Sequence, residues 1–230
     1  MRENLLHGVG AIVFDAVGTI IHPNPPAPAL YAEVGRRFGS KRIASEIASR
    51  FLAAFAREDA IDHANHLQTS ETREIERWRR IVSQVLDDVT DPEACFRELF
   101  DHFSRPEAWR CDPDAGATIE TLARHGYALG MASNYDGRLR SVVAGFTALG
   151  PLQHLVISSE VGWRKPAPPF FHAIGQAFAL PLEKILYVGD DLANDFEGAR
   201  AAGLRSVLFD PKQKHPGYEP APIGSLNELS

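Results

Sequence analysis

Five short, largely apolar runs are the feature of this 230-residue sequence that most constrains its fold. They cover residues 9–14, 128–132, 155–157, 185–188 and 206–209. Runs this short, with apolar residues at consecutive positions, are typical of strands buried on both faces of a parallel sheet. Most of the runs are separated by segments in which apolar residues recur at helical spacing. This alternation predicts an α/β fold with a doubly wound, Rossmann-like parallel sheet.

A long helical stretch interrupts the alternation after the first run. Apolar residues recur at helical spacing within 51–56 and 75–85, and Asp91-Pro92 is typical of a helix start. We find no convincing strand in this stretch, and a crossover between parallel strands needs only a dozen or more residues. The stretch therefore predicts a separate helical subdomain inserted into the core. The predicted division is an α/β core of residues 1–21 and 112–230 and a helical insertion of residues 22–111.

Composition excludes several classes of protein. The formal net charge of −6 argues against a nucleic-acid-binding protein, which normally carries a basic excess. No uninterrupted apolar run reaches the roughly 18–20 residues that a membrane span requires. The two cysteines, Cys95 and Cys111, are too few for a disulfide scaffold and predict reduced thiols in the cytoplasm. The expected partner is a small molecule, and the sequence does not indicate an oligomeric state.

Polar side chains follow four of the five runs, at the end where each run stops. They are Asp15 after the first, Ser133 and Asn134 after the second, Lys165 after the third, and Asp190, Asp191, Asn194 and Asp195 after the fourth. Taken singly, each is an ordinary helix cap or a solvated side chain. Ligands of open α/β sheets bind beyond the carboxyl ends of the strands, so four such groups in order predict a site at that edge.

These segments resemble the four motifs of the haloacid dehalogenase superfamily of hydrolases. Residues 13–20, Val-Phe-Asp-Ala-Val-Gly-Thr-Ile, resemble the first motif, and Ser133-Asn134 resembles the second. Lys165-Pro166 resembles the third motif, and residues 189–195, Gly-Asp-Asp-Leu-Ala-Asn-Asp, resemble the fourth. The insertion resembles the helical cap of one subfamily. The sequence segments 104–109 and 133–136 resemble those of one branch of that subfamily, the haloacid dehalogenase-like hydrolase domain-containing proteins.

The resemblance implies a hydrolase, most similar to phosphatases that act on small phosphorylated metabolites through an aspartyl intermediate. Asp15 matches the nucleophile, since a carboxylate can attack phosphorus and water can open the resulting ester. Lys165 would neutralise both the nucleophile and the transferring group. The side chain of Ser133 and backbone N–H groups near Gly18 and Asn134 would hold the phosphate oxygens, together with Lys165.

Mg²⁺ is the cofactor that the resemblance implies. Magnesium in proteins prefers one or two carboxylates together with waters and a substrate oxygen. Asp15 and Asp190 match the carboxylate ligands, and the backbone carbonyl of Val17 matches a further ligand. Asp195 matches the position that orients a metal-bound water. The predicted metal site thus consists of Asp15, Val17, Asp190 and Asp195.

Val17 departs from the phosphatase pattern, which has a second aspartate at this position. That aspartate protonates the leaving oxygen, and general acid–base help is typically worth about 10²–10⁴ in rate. Three interpretations follow from the valine. The substrate has a leaving group that is stable without a proton, such as that of an acyl or aryl phosphate; or His22 or a residue of the cap supplies the proton; or catalysis is weak or lost and the chain binds phosphate without turnover.

Two other reactions of the superfamily also proceed without that second aspartate. A 2-haloacid dehalogenase works without metal on a carboxylate substrate, which the acidic residues 190–195 beside Asp15 would repel. Its motif also has Tyr where this chain has Val17. A phosphonoacetaldehyde-type hydrolase needs a cap lysine for a Schiff base, and Lys41 is the one lysine of residues 22–111. The acidic fourth motif favours magnesium and phosphoryl chemistry.

We interpret two further sets of side chains in the insertion as parts of its structure and not of a functional site. The arginines and glutamates that alternate over residues 74–80 are typical of ion pairs on a helix surface. Phe51, Phe55 and Trp78 are interpreted as the core of the cap and not as a cage for substrate.

Overall fold

The computed structural model describes residues 5–229, so residues 1–4 and 230 of the predicted core lie outside it. The strands are β1 (Ala11–Phe14), β2 (Ile21–Pro23), β3 (Trp109–Cys111), β4 (Ala128–Ser133), β5 (His154–Ile157), β6 (Ile185–Gly189) and β7 (Arg205–Leu208). The helices are α1 (Ala27–Arg37), α2 (Ala44–Ala64), α3 (Glu71–Val85), α4 (Pro92–His102), α5 (Ala115–Arg124), α6 (Arg138–Ala144), α7 (Ser158–Val161), α8 (Pro168–Phe178) and α9 (Gly198–Ala202).

β1 lies at the centre of a five-stranded parallel sheet with the strand order β5-β4-β1-β6-β7. Phe14 at the end of β1 is paired with Met131 of β4 on one side and with Val188 of β6 on the other. All of β1 is buried because helices cover both faces of the sheet. Ile12 packs in the same core as α5 and α6, and Val13 in the same core as α8 and α9. The doubly wound α/β fold is confirmed.

The predicted strands agree with the structure to within two residues, and the segment that follows β6 is not a regular α-helix. It is a π-helical segment, Leu192–Glu197, followed by α9. Its first turn is held by two carboxylates. Asp191 accepts a hydrogen bond from the Asn194 amide at 2.8 Å, and Asp195 accepts one from the Asp191 amide at 3.0 Å. Local π-helical turns of this kind are frequent at functional sites.

Helices α1 to α4 form the helical insertion between β2 and β3. These two strands pair with each other in antiparallel fashion, with Ile21 opposite Cys111. The sequence does not predict β2, β3 or α1, because three-residue strands show no periodicity and α1 begins inside a proline-rich stretch. Pro28 lies in the first turn of α1, where the missing N–H of proline is tolerated. The division of the chain at residues 21/22 and 111/112 stays an interpretation.

The insertion is bonded to the core through the segment between α2 and α3. The Arg164 amide donates to the Leu67 carbonyl at 2.9 Å, and the Thr69 amide donates to the Gly162 carbonyl at 3.0 Å. These two backbone hydrogen bonds join residues 67–69 to the loop that precedes Lys165. The insertion therefore lies directly against the loop that carries one of the predicted site residues.

Both cysteines are free thiols, as the composition predicts. Burial raises the pKa of the Cys95 thiol to about 11, so this thiol stays protonated at neutral pH. Within residues 5–229, no helix has the length and apolar character that a membrane crossing requires.

Candidate active site

Asp15 lies directly after β1, at the carboxyl edge of the sheet. Its amide continues the pairing with β6 by donating to the Val188 carbonyl at 2.8 Å, which fixes the backbone at this position. Its side-chain Oδ1 accepts hydrogen bonds from Ser133 Oγ at 3.1 Å and from Lys165 Nζ at 2.7 Å. Three of the four predicted segments thus meet at one carboxylate oxygen.

Lys165 is buried and bonded on several sides. Besides Asp15, its Nζ donates to Asp195 Oδ1 at 2.5 Å and to the Tyr187 hydroxyl at 3.0 Å. Tyr187 in turn donates to the Ala132 carbonyl at 2.6 Å, so its hydroxyl oxygen is aimed at the ammonium group. Burial alone would lower the pKa of Lys165, but the Asp15 and Asp195 carboxylates raise it well above its ordinary value. The lysine is therefore a fixed positive charge.

Asn134 holds the backbone of Lys165. Its Oδ1 accepts from the Lys165 amide at 2.7 Å, and its Nδ2 donates to the Lys165 carbonyl at 3.1 Å. The side chain of Asn134 is thereby committed to positioning the lysine. The predicted contact of Asn134 with phosphate would have to be made by its backbone N–H and stays a prediction.

Three carboxylates form an acidic cluster at the same edge. Oxygen atoms of Asp15, Asp190 and Asp195 lie within 4.8 Å of one another. Partial loss of hydration raises the pKa of Asp190 to about 7, and the Asp15 and Asp195 carboxylates add to the shift. Burial likewise raises the pKa of Asp195 to about 6, although Lys165 opposes that shift. Like charges at such distances disfavour ionisation unless a cation lies between them.

Two glycines allow the carboxylates to approach. Gly18 has a left-handed φ of +101°, and a Cβ at this position would overlap the Asp190 carboxylate. A Cβ at Gly189 would overlap the Asp195 carboxylate. The amide of Gly18 donates to the Ile21 carbonyl at 3.0 Å and is used within its own loop. The structure thus shows Gly18 making room for Asp190, and its predicted contact with phosphate stays a prediction.

The cluster opens into a cavity of about 270 Å³, which we call the acidic cavity. Among the described residues that line it are five carboxylates and three cationic side chains: Asp15, Asp59, Asp190, Asp191, Asp195, Arg77, Arg164 and Lys165. The ionised lining has an excess of two negative charges, which one divalent cation would balance. Carboxylate oxygens are the hard ligands that Mg²⁺ prefers, so these residues fit a magnesium ion.

Val17 lines the acidic cavity, so an isopropyl group occupies the position of the missing proton donor. His22, one candidate replacement, lines a different cavity together with Gly18 and Asp190, and its Nε2 lies 3.7 Å from Asp112. Burial and the charge of Arg110 lower the pKa of His22. The structure therefore gives no support to His22 as the acid.

Lys41, the candidate Schiff-base lysine of the alternative phosphonate reaction, lies in the loop between α1 and α2. It is exposed, and its backbone amide donates to Asp88 at 3.0 Å. It is not among the residues that line the acidic cavity. Its position therefore disfavours the phosphonate hydrolase.

The insertion contributes charged residues to the cavity that the sequence did not predict. Arg77, expected on a helix surface, is 2% exposed, and its Nε donates to Asp62 at 3.0 Å while Nη2 contacts Asp59. Arg164 of the core pairs with Glu74 and lies 3.4 Å from Asp62. The surface interpretation is wrong for Arg77 because its partners lie on α2 and not on its own helix.

The parallel sheet and the carboxylate–lysine cluster at its edge define a Rossmann-like α/β protein with a candidate active site at the carboxyl ends of its strands. Residues 9–203 match the family model of the haloacid dehalogenase-like hydrolases, so the chain belongs to that family and the resemblance of its motifs is confirmed. Among curated relatives, haloacid dehalogenase-like hydrolase domain-containing protein 3 of Bos taurus is 27% identical over 210 residues, covering 86% of this chain and 80% of the relative.

Phosphoserine phosphatase of Thermus thermophilus is 26% identical, with 95% of this chain and 96% of the relative covered. Among solved structures, a haloacid dehalogenase-type hydrolase of Bacillus subtilis bound to magnesium has a TM-score of 0.75 at 18% identity, covering 96% of both chains. Solved dehalogenases share the fold as well. The fold alone therefore does not distinguish phosphatase from dehalogenase.

Proposed function

We propose that this chain is a magnesium-dependent phosphatase that hydrolyses small phosphate esters through an aspartyl phosphate on Asp15. One observation carries the proposal above all others. The ammonium group of Lys165 is bonded to both Asp15 and Asp195, while Asp190 completes a cluster of three carboxylates. Among the described residues, one fixed cation beside three carboxylates leaves an excess of two negative charges, which a divalent metal would balance before a phosphate ester binds.

The reaction follows from the hydrogen bonds of Asp15. Ser133 and Lys165 both donate to Oδ1, which orients the carboxylate, and Oδ2 would be the attacking oxygen. As the bond from Oδ2 to phosphorus forms, the bond to the leaving oxygen breaks and that oxygen departs with the electron pair. Water then attacks phosphorus, inorganic phosphate leaves, and the Asp15 carboxylate is restored.

Magnesium would be held by Asp15, Asp190 and the backbone carbonyl of Val17. When bound, it supplies positive charge to the phosphate oxygens and to the attacking carboxylate. Asp195 is bonded to both Lys165 and the Asp191 amide, so it holds the lysine and the π-helical turn in register. We therefore assign Asp195 a positioning role beside the metal.

One curated relative and the charge of the acidic cavity support the proposal. The relative in Thermus thermophilus is named a phosphatase and covers nearly the whole chain. A 2-haloacid dehalogenase would bring a substrate carboxylate into a cavity whose lining already has an excess of negative charge. Because solved dehalogenases share the fold, the dehalogenase reaction also has to be tested.

Hydrolysis of p-nitrophenyl phosphate with and without Mg²⁺ tests the proposal. We expect turnover that requires the metal and falls at least about 10³-fold in Asp15→Asn, because the amide is no longer a nucleophile. Asp101→Asn is the matched control, since Asp101 is an exposed aspartate of α4 that does not line the acidic cavity. It should retain wild-type activity.

Two other outcomes would contradict the proposal. Chloride release from 2-chloropropionate without metal would establish a dehalogenase. Binding of Mg²⁺ and inorganic phosphate by calorimetry without turnover of any phosphate ester would establish a binding protein without catalysis.

A further inference from the structure

A second cavity adjoins the acidic cavity on the side of the helical insertion. It encloses about 240 Å³, and we call it the aromatic cavity. Phe51, Phe55 and Trp78 line it from α2 and α3, and Trp109 and Tyr135 line it from β3 and the loop after β4. Protein interiors contain few voids larger than a water molecule, so a gap of this size beside a reactive carboxylate calls for an occupant. The expectation that Phe51, Phe55 and Trp78 only fill the core of the cap is therefore incomplete.

The polar atoms in the walls are already engaged. Trp109 Nε1 donates to the Phe103 carbonyl at 3.2 Å, and the Tyr135 hydroxyl donates to the same carbonyl at 3.3 Å. Both aromatic groups consequently turn their polar atoms toward Phe103 and leave ring surface for the cavity. A polar occupant would lose hydrogen bonds to water without replacement, which is unfavourable.

Arg138, the one cationic side chain among the described residues of the wall, is also neutralised. Arg138 forms a two-fold pair with Asp136, with Nε and Nη2 each at 2.7 Å from a carboxylate oxygen. Its Nη1 donates to the Phe100 carbonyl at 2.8 Å, and its guanidinium carbon lies 3.5 Å from the centre of the Phe100 ring. The cavity thus presents rings and a paired charge, and it matches an uncharged apolar group.

The two cavities share a boundary. Val17, Phe55 and Asn134 line both, so a group in the aromatic cavity would be next to a phosphoryl group at Asp15. Valine at position 17 belongs to this apolar surface, where an aspartate would be poorly hydrated. The same residue thus removes the general acid and extends the apolar wall.

We propose that the aromatic cavity binds the leaving group of the substrate, and that this group is an aromatic ring bonded directly to the ester oxygen. This inference rests on the proposed phosphatase function. Phenolate-type leaving groups depart without a proton far more readily than alkoxides do, so an aryl phosphate does not need the proton donor that Val17 lacks. Its ring also matches the apolar lining of the aromatic cavity. Stacked and edge-to-face contacts with the wall rings would hold the ring.

Binding of non-hydrolysable phosphonates tests the inference apart from leaving-group reactivity. Calorimetry in the presence of Mg²⁺ would compare phenylphosphonate with methylphosphonate. We expect phenylphosphonate to bind at least about tenfold more tightly, because its ring would leave water for the apolar walls. Equal affinities would overturn the inference.

A variant that fills the cavity gives the second test. Ala27 lines the aromatic cavity, and Ala27→Phe should weaken phenylphosphonate binding at least about tenfold while leaving methylphosphonate within about twofold. Ala53→Phe on the exposed face of α2 is the matched control and should change neither. Should Ala27→Phe not fold, Phe51→Ala, which removes one wall ring, is expected to show the same selective loss. Equal losses for both phosphonates would contradict the inference.

Acetyl phosphate separates this inference from the function on which it rests. It has a good leaving group and no ring, so its magnesium-dependent hydrolysis reports on the acidic cavity alone. If acetyl phosphate is hydrolysed but phenylphosphonate binds no more tightly than methylphosphonate, the phosphatase function is supported and the aromatic site is rejected. Absence of hydrolysis with acetyl phosphate and with aryl phosphates alike would reject the phosphatase itself.

Discussion

Val17 links the chemistry of the site to its surroundings at the scale of one residue. Its side chain lies on the boundary of the acidic and aromatic cavities, where a proton donor would otherwise stand. An isopropyl group cannot transfer a proton, so in the proposed reaction Val17 itself gives the leaving group none. In that reaction position 17 would determine which phosphate esters are cleaved, while Asp15 and Lys165 would carry out the cleavage.

Restoring the acid at this position should widen the range of substrates. We predict that Val17→Asp raises kcat for an alkyl phosphate such as ethyl phosphate by about 10²-fold, the lower end of the usual gain from general acid–base catalysis. Phenyl phosphate should gain little or lose activity. Val17→Asn, of similar shape but without a proton of suitable acidity, serves as the control. Steady-state kinetics on both esters would measure the effect, and an unchanged rate for ethyl phosphate would contradict it.

At the scale of elements, the insertion and the core are joined by charges as well as by backbone hydrogen bonds. Glu74 of α3 is buried, pairs with Arg164 of the core, and accepts a hydrogen bond from Thr69 Oγ1 at 2.7 Å. Arg164 precedes Lys165, so this buried pair lies one residue from the active site. Removing Glu74 would leave Asp62, 3.4 Å away, beside the buried charge of Arg164, and a buried charge that loses a close partner destabilises the fold.

We predict that Glu74→Gln lowers the free energy of unfolding by about 3 kcal/mol, at the lower end of the range for broken buried pairs. Glu76→Gln on the same helix is the control, because Glu76 is exposed and lies 4.0 Å from Arg80. Exposed pairs contribute about 0–1 kcal/mol, so the control should change little. Urea unfolding would measure both variants, and equal losses would show that Glu74 is not buried against the core.

The sequence predicts elements well where the signal is local. The five strands of the central sheet are short apolar runs, and the helix start at Asp91 is confirmed by its hydrogen bond from the Ala94 amide at 3.0 Å. Contacts between distant segments are not local. Arg77 resembled a surface residue because glutamates flank it, yet its burial depends on α2. Tyr187 lies in an apolar strand, and the sequence has no sign that its hydroxyl would reach Lys165.

At the scale of the whole molecule, the fold brings together groups that are remote in sequence. Ser133 and Lys165 lie 118 and 150 positions from Asp15, yet both bond to one oxygen of its carboxylate. Parallel strands make this convergence predictable, because their carboxyl ends share one edge of the sheet. The shape of the substrate cavity is not predictable in the same way, since its aromatic wall depends on how the insertion packs over that edge.

The central claim is that Asp15 attacks phosphorus, and chemical trapping of the intermediate tests it most directly. The protein would be mixed with phenyl phosphate and Mg²⁺, quenched during turnover, and treated with borohydride, which reduces an acyl phosphate to an alcohol. Mass spectrometry of the peptides that contain residues 15, 190 and 195 should then show homoserine at position 15 and unmodified aspartate at positions 190 and 195. Turnover without homoserine at residue 15, or with the modification at another carboxylate, would contradict the account.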